Sequence, residues 1–197
     1  MEIANDLINI LRSTTELFAD KKINFCLAGG WAVGVWGAPR ATEDIDLLIL
    51  LEQNELNNIS KILNIKFNVV QSHKLKFKSV TILRIILSLK NKKDLYILDL
   101  ILADTSYYQN ILKRKIYIEF EGTSIPLISL EDLIILKSIS NRAQDQNDIK
   151  QLTTTAKTID WNYINAAIKE FNLKIRNIPS ALKCRRRLRQ RRRKKNS

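Results

Sequence analysis

Two aspartates, Asp44 and Asp46, stand at the start of an apolar run that ends at Leu51. In a β-strand, residues two apart project from the same face, so a strand here would place both carboxylates side by side. Two such carboxylates repel each other unless a cation lies between them. Mg²⁺ prefers oxygen ligands and is often held by one or two carboxylates together with substrate phosphates. The pair therefore predicts a magnesium site next to a phosphate-bearing substrate.

A glycine pair, Gly29 and Gly30, follows a short apolar run at 25–28. Because glycine has no Cβ, the backbone can approach a ligand closely at these two positions. A helix that starts there would offer unpaired N–H groups and the positive end of its dipole to a phosphate. Residues 25–51 therefore read as strand, turn, helix and strand, with Gly29 and Gly30 predicted to bind phosphate.

A glycine pair that opens a helix, followed by Asp-x-Asp at the entry to a strand, is the signature of the DNA polymerase β-like nucleotidyltransferase superfamily, which this sequence resembles. The stretch GGWAVGVWGAPRATEDIDLLI is most similar to small bacterial nucleotidyltransferases related to AbiEii-type toxins and to antibiotic nucleotidyltransferases. Residues 125–152, IPLISLEDLIILKSISNRAQDQNDIKQL, resemble the C-terminal helices of that family. The resemblance implies the α/β (α+β) minimal nucleotidyltransferase fold, a short mixed β-sheet flanked by helices.

A third aspartate, Asp99, lies inside the apolar run YILDLIL. Burial of an ionised carboxylate is costly unless a cation or hydrogen bonds compensate it. In the resembling family a third acid on a neighbouring strand completes the metal site, so Asp44, Asp46 and Asp99 are implied as catalytic residues and as ligands of two Mg²⁺ ions. The alternative interpretation of Asp99 is a structural acid on the solvent-facing side of an edge strand. Asp104 is a reserve candidate, although residues 103–106 are typical of a helix cap.

Two cations are predicted to contact the nucleotide, and each has a structural alternative. Arg40, in the turn before the aspartate pair, is either a surface charge or a contact to phosphate or carboxylate. Lys137 lies beside the apolar face of a C-terminal helix, where it either extends its stem towards water or, as the resemblance implies, meets the phosphates. Trp31 and Trp36 either pack in the core or stack on a nucleotide base.

Apolar spacing predicts the remaining elements. Helices are expected at 4–19, 31–36, 52–65, 107–115, from 129 onward and at 160–173, and strands at 23–28, 80–89, 95–102, 116–120 and 124–128. The polar, lysine-rich segment 67–79 is predicted to be an exposed loop that carries His73, unless its lysines meet an anionic substrate. In AbiEii-like toxins a basic motif followed by Thr and Arg lies in this region, and Thr81 and Arg84 could correspond to it. Arg142, Asp145 and Asp148 share a helix face at a spacing that favours ion pairs. The family resemblance implies that they orient the site from below and do not take part in the chemistry.

The composition suits a globular chain with a basic end. Of the 33 Lys and Arg residues, twelve lie from Lys174 onward without any Asp or Glu, so the rest of the chain is nearly neutral although the whole carries +13. We expect a nucleotidyltransferase domain at 1–152, a helical extension at 153–173 and a disordered basic tail at 174–197. The two cysteines do not suggest a disulfide framework. No segment resembles a secretory signal or a membrane span. We therefore expect a cytoplasmic protein.

These features together predict a Mg²⁺-dependent nucleotidyltransferase. The enzyme would transfer a nucleoside monophosphate from an NTP to an acceptor hydroxyl and release pyrophosphate. An RNA or tRNA end is one candidate acceptor, because the basic tail could bind nucleic acid. A hydroxyl group of a protein is the other candidate acceptor. The resemblance to toxins implies a toxin–antitoxin role with an antitoxin partner. The alternative is a catalytically silent member of the fold that binds nucleic acid or acts as an antitoxin.

Overall fold

The computed structural model describes residues 2–77 and 80–175, apart from the side chain of residue 2. The described residues divide into two compact units, one within 2–35 and 39–129 and the other formed by 36–38 and 130–175. The predicted basic tail lies, beyond residue 175, outside the described residues. The predicted domain bounds near 152 and 173 remain predictions.

The first unit is built on one mixed β-sheet. Its elements are α1 (Glu2–Asp20), β1 (Asn24–Leu27), α2 (Gly29–Val35), β2 (Asp44–Leu50), α3 (Gln53–Leu63), β3 (Phe67–Lys76), β4 (Thr81–Leu89), β5 (Tyr96–Leu102), α4 (Ser106–Arg114), β6 (Ile116–Phe120) and β7 (Thr123–Leu127). Within the described chain the sheet has seven strands in the order β3-β4-β5-β2-β1-β7-β6. The pairs β2–β5 and β1–β7 are parallel and the others are antiparallel. The predicted α/β nucleotidyltransferase class with a mixed sheet is confirmed.

The centre of this sheet is buried because β2 and β5 are interior strands. Ile45, Leu47 and Ile49 of β2 are fully buried on one face, as are Leu98 and Leu100 of β5. Burial of this apolar area is the main favourable term that holds the strands together. The alternation along β2 leaves the two aspartates on the opposite face, as the period of a strand requires.

A buried polar contact ties α1 to the turn between β4 and β5. Asp6 is only 3% exposed, and it accepts hydrogen bonds from Lys92 Nζ at 2.8 and 2.9 Å and from Tyr96 Oη at 2.7 Å. The bonds from Lys92 and Tyr96 lower the pKa of Asp6 in spite of its burial. Burial, with the bond to Asp6, raises the pKa of Tyr96 to about 12.

The second unit contains the helices α5 (Leu130–Ser140), α6 (Ala143–Thr155) and α7 (Trp161–Glu170) among its described residues. Helix α5 contacts both α6 and α7, and Tyr163 Oη of α7 donates to Asp132 of α5 at 2.6 Å. Asp160 caps α7 by accepting from the backbone N–H groups of Asn162 and Tyr163. These are the C-terminal helices that the sequence predicts.

One prediction is wrong: residues 67–76 are not a loop but the edge strand β3. They pair with β4 from Phe67↔Leu89 to Lys76↔Thr81, with a bulge between Val69 and Gln71. The strand is hard to recognise because most of its side chains are exposed, so the chain needs no apolar alternation there and the backbone pairing alone defines it. Lysines are frequent on edge strands, where they oppose pairing with other chains. His73 is exposed, as predicted, but within this strand.

Candidate active site

Three carboxylates meet on one face of the sheet. β2 carries Asp44 and Asp46, and the parallel register with β5 places Asp99 opposite Asp46. One oxygen from each of the three residues lies within 4.8 Å of the others. Asp99 is 3% exposed and β5 is an interior strand, which rules out the alternative of a solvent-facing acid on an edge. We call these three residues the carboxylate cluster.

Arg84 compensates the buried charge of Asp99. The antiparallel register of β4 and β5 sets Arg84 opposite Asp99, and its guanidinium donates from Nε to Oδ1 at 2.9 Å and from Nη2 to Oδ2 at 2.6 Å. Bidentate pairs of this kind are the strong, geometrically specific ones. The bonds to Asp99 raise the pKa of Arg84 against the effect of its burial, and the charges of Asp44 and Asp46 add to the rise.

The glycine pair lies against the carboxylate cluster. Gly29 has φ +60, and a Cβ at this position would overlap the carboxylate of Asp46. A Cβ at Gly30 would lie 2.8 Å from Thr42 Oγ1 and 3.0 Å from Arg40 Nη2. The end of β1 is held there because Ala28 N donates to the Asp46 carbonyl at 2.9 Å. Both glycines therefore occupy places where a side chain would displace the polar groups of the site.

The loop between α2 and β2 supplies two more polar groups. Thr42 Oγ1 donates to Asp44 Oδ1 at 2.9 Å and thereby fixes that carboxylate. Arg40 is half-buried, with its Nη1 donating to the Ala41 carbonyl at 3.0 Å and its Nη2 beside Gly30. Thr42 is not among the predicted site residues. A hydroxyl two residues before the first aspartate is nevertheless a usable signal, because such side chains often bond to neighbouring groups in turns.

The other predicted residues lie in different surroundings. Lys137 belongs to the second unit, where it is 5% exposed and its Nζ bonds Asp148 at 2.6 Å and Asp145 at 3.3 Å. It does not extend its stem to water, and its contact with a nucleotide stays a prediction. Asp104, which directly precedes the N-cap residue of α4, accepts a hydrogen bond from Thr81 Oγ1 at 3.0 Å, as expected of a structural acid. Trp31 is half-buried and lines a cavity of about 610 Å³ in the first unit.

The donor set of the carboxylate cluster suits Mg²⁺. It consists of carboxylate oxygens that are close enough to share an ion, with no sulfur or imidazole among them. Hard divalent cations select such ligands, whereas zinc sites usually include nitrogen or sulfur.

The comparisons with known proteins agree with this geometry. A family described as "Nucleotidyltransferase of unknown function (DUF6036)" matches residues 5–195. The chain belongs to this family. No curated protein matches the sequence. The broad nucleotidyltransferase resemblance is thus confirmed, whereas a specific relation to AbiEii-type toxins stays a prediction.

Solved structures share the fold of this DUF6036 protein at low sequence identity. A nucleotidyltransferase-like antigenic protein from Paracoccidioides brasiliensis is 18% identical with a TM-score of 0.53, covering 84% of this chain and 87% of its own. JHP933 from Helicobacter pylori is 17% identical with a TM-score of 0.50, and the match covers 86% of this chain and 74% of that protein. The antibiotic-resistance factor ANT(2'')-Ia is 11% identical with a TM-score of 0.51, and the match covers 85% of this chain and 92% of that protein.

Among the described residues, no helix is long and apolar enough to cross a membrane.

Proposed function

We propose that this protein transfers a nucleoside monophosphate from an NTP to a hydroxyl group of an acceptor and releases pyrophosphate. The observation that carries the proposal is the convergence of Asp44, Asp46 and Asp99 within 4.8 Å of one another, beside a glycine pair with no room for side chains. A structural ion pair needs two charges, whereas three converging carboxylates are suited to a divalent cation and a polyphosphate.

In the proposed reaction the carboxylate cluster holds Mg²⁺. When bound, the ion neutralises and orients the triphosphate and stabilises charge on the attacking and leaving oxygens. Gly29 and Gly30 let the phosphates approach the backbone, and Arg40 contacts them from the adjoining loop. The acceptor hydroxyl then loses its proton to water as its oxygen attacks the α-phosphorus, a new P–O bond forms, the P–O bond to the β-phosphate breaks, and pyrophosphate leaves. The binding of two Mg²⁺ ions is part of this proposal.

RNA is the acceptor that the charge distribution supports best. Residues 56–93 contain nine Lys and Arg residues and no Asp or Glu, and this segment includes β3 and β4, the strand that carries Arg84. Two of the nine, Arg84 and Lys92, are ion-paired. Lys74 and Lys76 are exposed on β3, and exposed positive charge attracts a polyanion. The twelve Lys and Arg residues from Lys174 onward add to the positive charge of the chain. A toxin–antitoxin role in the cytoplasm is a further part of this proposal.

The test is transfer of label from NTPs that are radioactive at the α-phosphate. The purified protein is incubated with each NTP, Mg²⁺ and total cellular RNA, beside the Asp44→Asn variant and the matched control Asp94→Asn, which changes an exposed turn residue. We expect label on RNA that falls at least about 100-fold in Asp44→Asn and persists in Asp94→Asn. Label on protein instead would assign a protein acceptor.

Equal labelling by Asp44→Asn and the wild type would contradict the proposed site. Absence of label from every substrate, together with no metal-dependent NTP binding, would favour the silent, nucleic-acid-binding or antitoxin alternative. The intact set of three carboxylates argues against that alternative, because a protein that does not turn over has no need to keep them together.

A further inference from the structure

Arg84 introduces a permanent positive charge into the proposed metal site. Its Nε and Nη2 bond the two oxygens of Asp99 at 2.9 and 2.6 Å. An arginine side chain does not lose its proton under ordinary conditions. The three carboxylates carry a formal charge of −3, and Arg84 reduces the charge of the four groups to −2.

The guanidinium also restricts what Asp99 can do. A carboxylate has two oxygens with about four lone-pair positions, and a bidentate arginine uses one position on each oxygen. Asp99 therefore keeps lone pairs for an ion while its orientation is fixed from β4. The Arg84 side chain is 38% exposed whereas that of Asp99 is 5% exposed, so Arg84 reaches solvent and the carboxylate that it orients does not.

We propose that Arg84 is a positioning residue that couples metal binding to nucleotide binding. It orients Asp99 and keeps the affinity of the carboxylate cluster for a divalent cation low until an NTP is bound. The inference rests on the proposed function.

Electrostatics gives the direction of this coupling. A divalent cation next to the cluster is attracted by three carboxylates and repelled by one guanidinium, so the first ion binds less tightly than three carboxylates alone would allow. A second ion would leave a net positive charge among the four groups. The triphosphate supplies the missing negative charge, so ions and nucleotide favour each other's binding, and this coupling is reciprocal.

The test measures Mn²⁺ binding from the electron paramagnetic resonance signal of the free ion, without nucleotide and with α,β-methylene-ATP. A titration of α,β-methylene-ATP without protein is subtracted, because the nucleotide itself chelates Mn²⁺. It uses the full chain and the variants Arg84→Gln, Arg84→Lys and Asp44→Asn. A matched control is Arg12→Gln, which removes an arginine that is paired with Glu16 and Glu121 on the surface. Far-UV circular dichroism establishes that each variant is folded.

Without nucleotide, we expect Arg84→Gln to bind Mn²⁺ roughly tenfold more tightly than the wild type, since one repelling charge is lost. The gain in Mn²⁺ affinity on adding the nucleotide should shrink by a similar factor. Arg84→Lys keeps the charge and should stay within about threefold of the wild type, although it loses the planar bidentate fork. Arg12→Gln should bind Mn²⁺ like the wild type.

Unchanged or weaker Mn²⁺ binding by Arg84→Gln without nucleotide would overturn the inference, as would an equal gain in Arg12→Gln. These results are distinguishable from failure of the proposed function. If Asp44→Asn abolishes Mn²⁺ binding while Arg84→Gln changes nothing, the metal site stands and only the role of Arg84 is wrong. If Asp44→Asn binds Mn²⁺ like the wild type with nucleotide present, the site itself is wrong.

Discussion

The backbone at Gly29 is the tightest point of the candidate site. Its φ of +60 and the overlap of any Cβ with Asp46 make glycine the only residue that fits without a shift of the site. The same positive φ would strain any other residue. The space beside the aspartate is therefore set by the absence of a side chain on α2.

We expect Gly29→Ala to destabilise the fold by about 1–3 kcal/mol, because the Cβ must displace the Asp46 carboxylate, and to abolish nucleotide transfer. Urea unfolding measures the first effect and the labelling assay the second. Gly34→Ala is the matched control, since its Cβ would meet only Pro39 at 3.8 Å. A Gly29→Ala protein as stable and active as Gly34→Ala would contradict the role of this position.

How far single residues could be predicted depends on how local their signal is. Asp44 and Asp46 follow from the period of two in a strand. The apolar run around Asp99 indicates a compensated carboxylate, but only the family resemblance implies that Asp99 is a metal ligand. The ion pair of Arg84 with Asp99 depends on the register between two strands, which single-residue patterns do not fix. Thr81 and Arg84 were recognised only as a possible match to a basic motif.

At the scale of elements, α5 and α6 are joined by a buried ionic network. Lys137 of α5 lies between Asp145 and Asp148 of α6, and Arg142 Nε bonds Asp145 at 2.8 Å. The predicted ion pair between Arg142 and Asp145 is confirmed. The participation of Lys137 was not predicted, since the spacing within one helix cannot show what a neighbouring helix brings to it.

The network has a consequence at acid pH. Burial alone would raise the pKa of Asp145, but hydrogen bonds from Arg142 and Ser140 and the charge of Lys137 outweigh it and lower the pKa to about 2 from 3.8. A carboxyl group whose pKa is lower in the folded than in the unfolded state stabilises the fold at pH values above the unfolded-state pKa. This contribution is lost as the pH falls through the folded-state pKa. Because Arg142 is largely exposed, solvent screening limits the contribution to about 1–2 kcal/mol.

We therefore expect the destabilisation caused by Asp145→Asn to be larger at pH 7 than at pH 2 by that amount. Urea unfolding of the wild type and the variant at both pH values measures it. Asp20→Asn, which changes an exposed residue at the end of α1, should show no such difference. A destabilisation by Asp145→Asn that does not change with pH would contradict the ion-pair explanation.

The elements themselves were predictable where one face is buried. The long helix α1 and the strands β4 to β7 follow the expected apolar spacing. β3 was missed because its side chains are mostly exposed, so its pairing with β4 leaves no apolar pattern. Apolar periodicity arises where one face of a strand is buried, so a strand whose two faces are both exposed to solvent shows little periodicity.

At the scale of the whole molecule, positive charge is concentrated in the segment 56–93 as well as beyond Lys174. Lys74 and Lys76 are exposed on β3, the outermost strand of the sheet on this side. The formal charge of +13 therefore reflects two separate basic regions of the sequence. If the acceptor is RNA, the β3 surface should contribute to its binding.

We expect the double variant Lys74→Gln/Lys76→Gln to bind single-stranded RNA several-fold more weakly. The magnitude of the slope of log affinity against log salt should decrease by up to about 1.4, since each of the two lost phosphate contacts contributes about 0.7. Fluorescence anisotropy across a salt series measures both quantities. Lys150→Gln/Lys157→Gln removes the same charge from exposed positions in and after α6. An equal effect of this control would assign the binding to net charge alone.

The alignment of Arg84 with Asp99 also bears on how the chain reaches its native topology. Successive strand residues point to opposite faces, so a slip of β4 by one residue would turn Arg84 towards the face occupied by Leu83 and Ile85. A guanidinium buried there without a partner, and Asp99 left without its cation, would each cost several kcal/mol. The pair thus discriminates against misaligned β4–β5 hairpins during folding, so the correctly paired hairpin already carries Asp99 together with its cation.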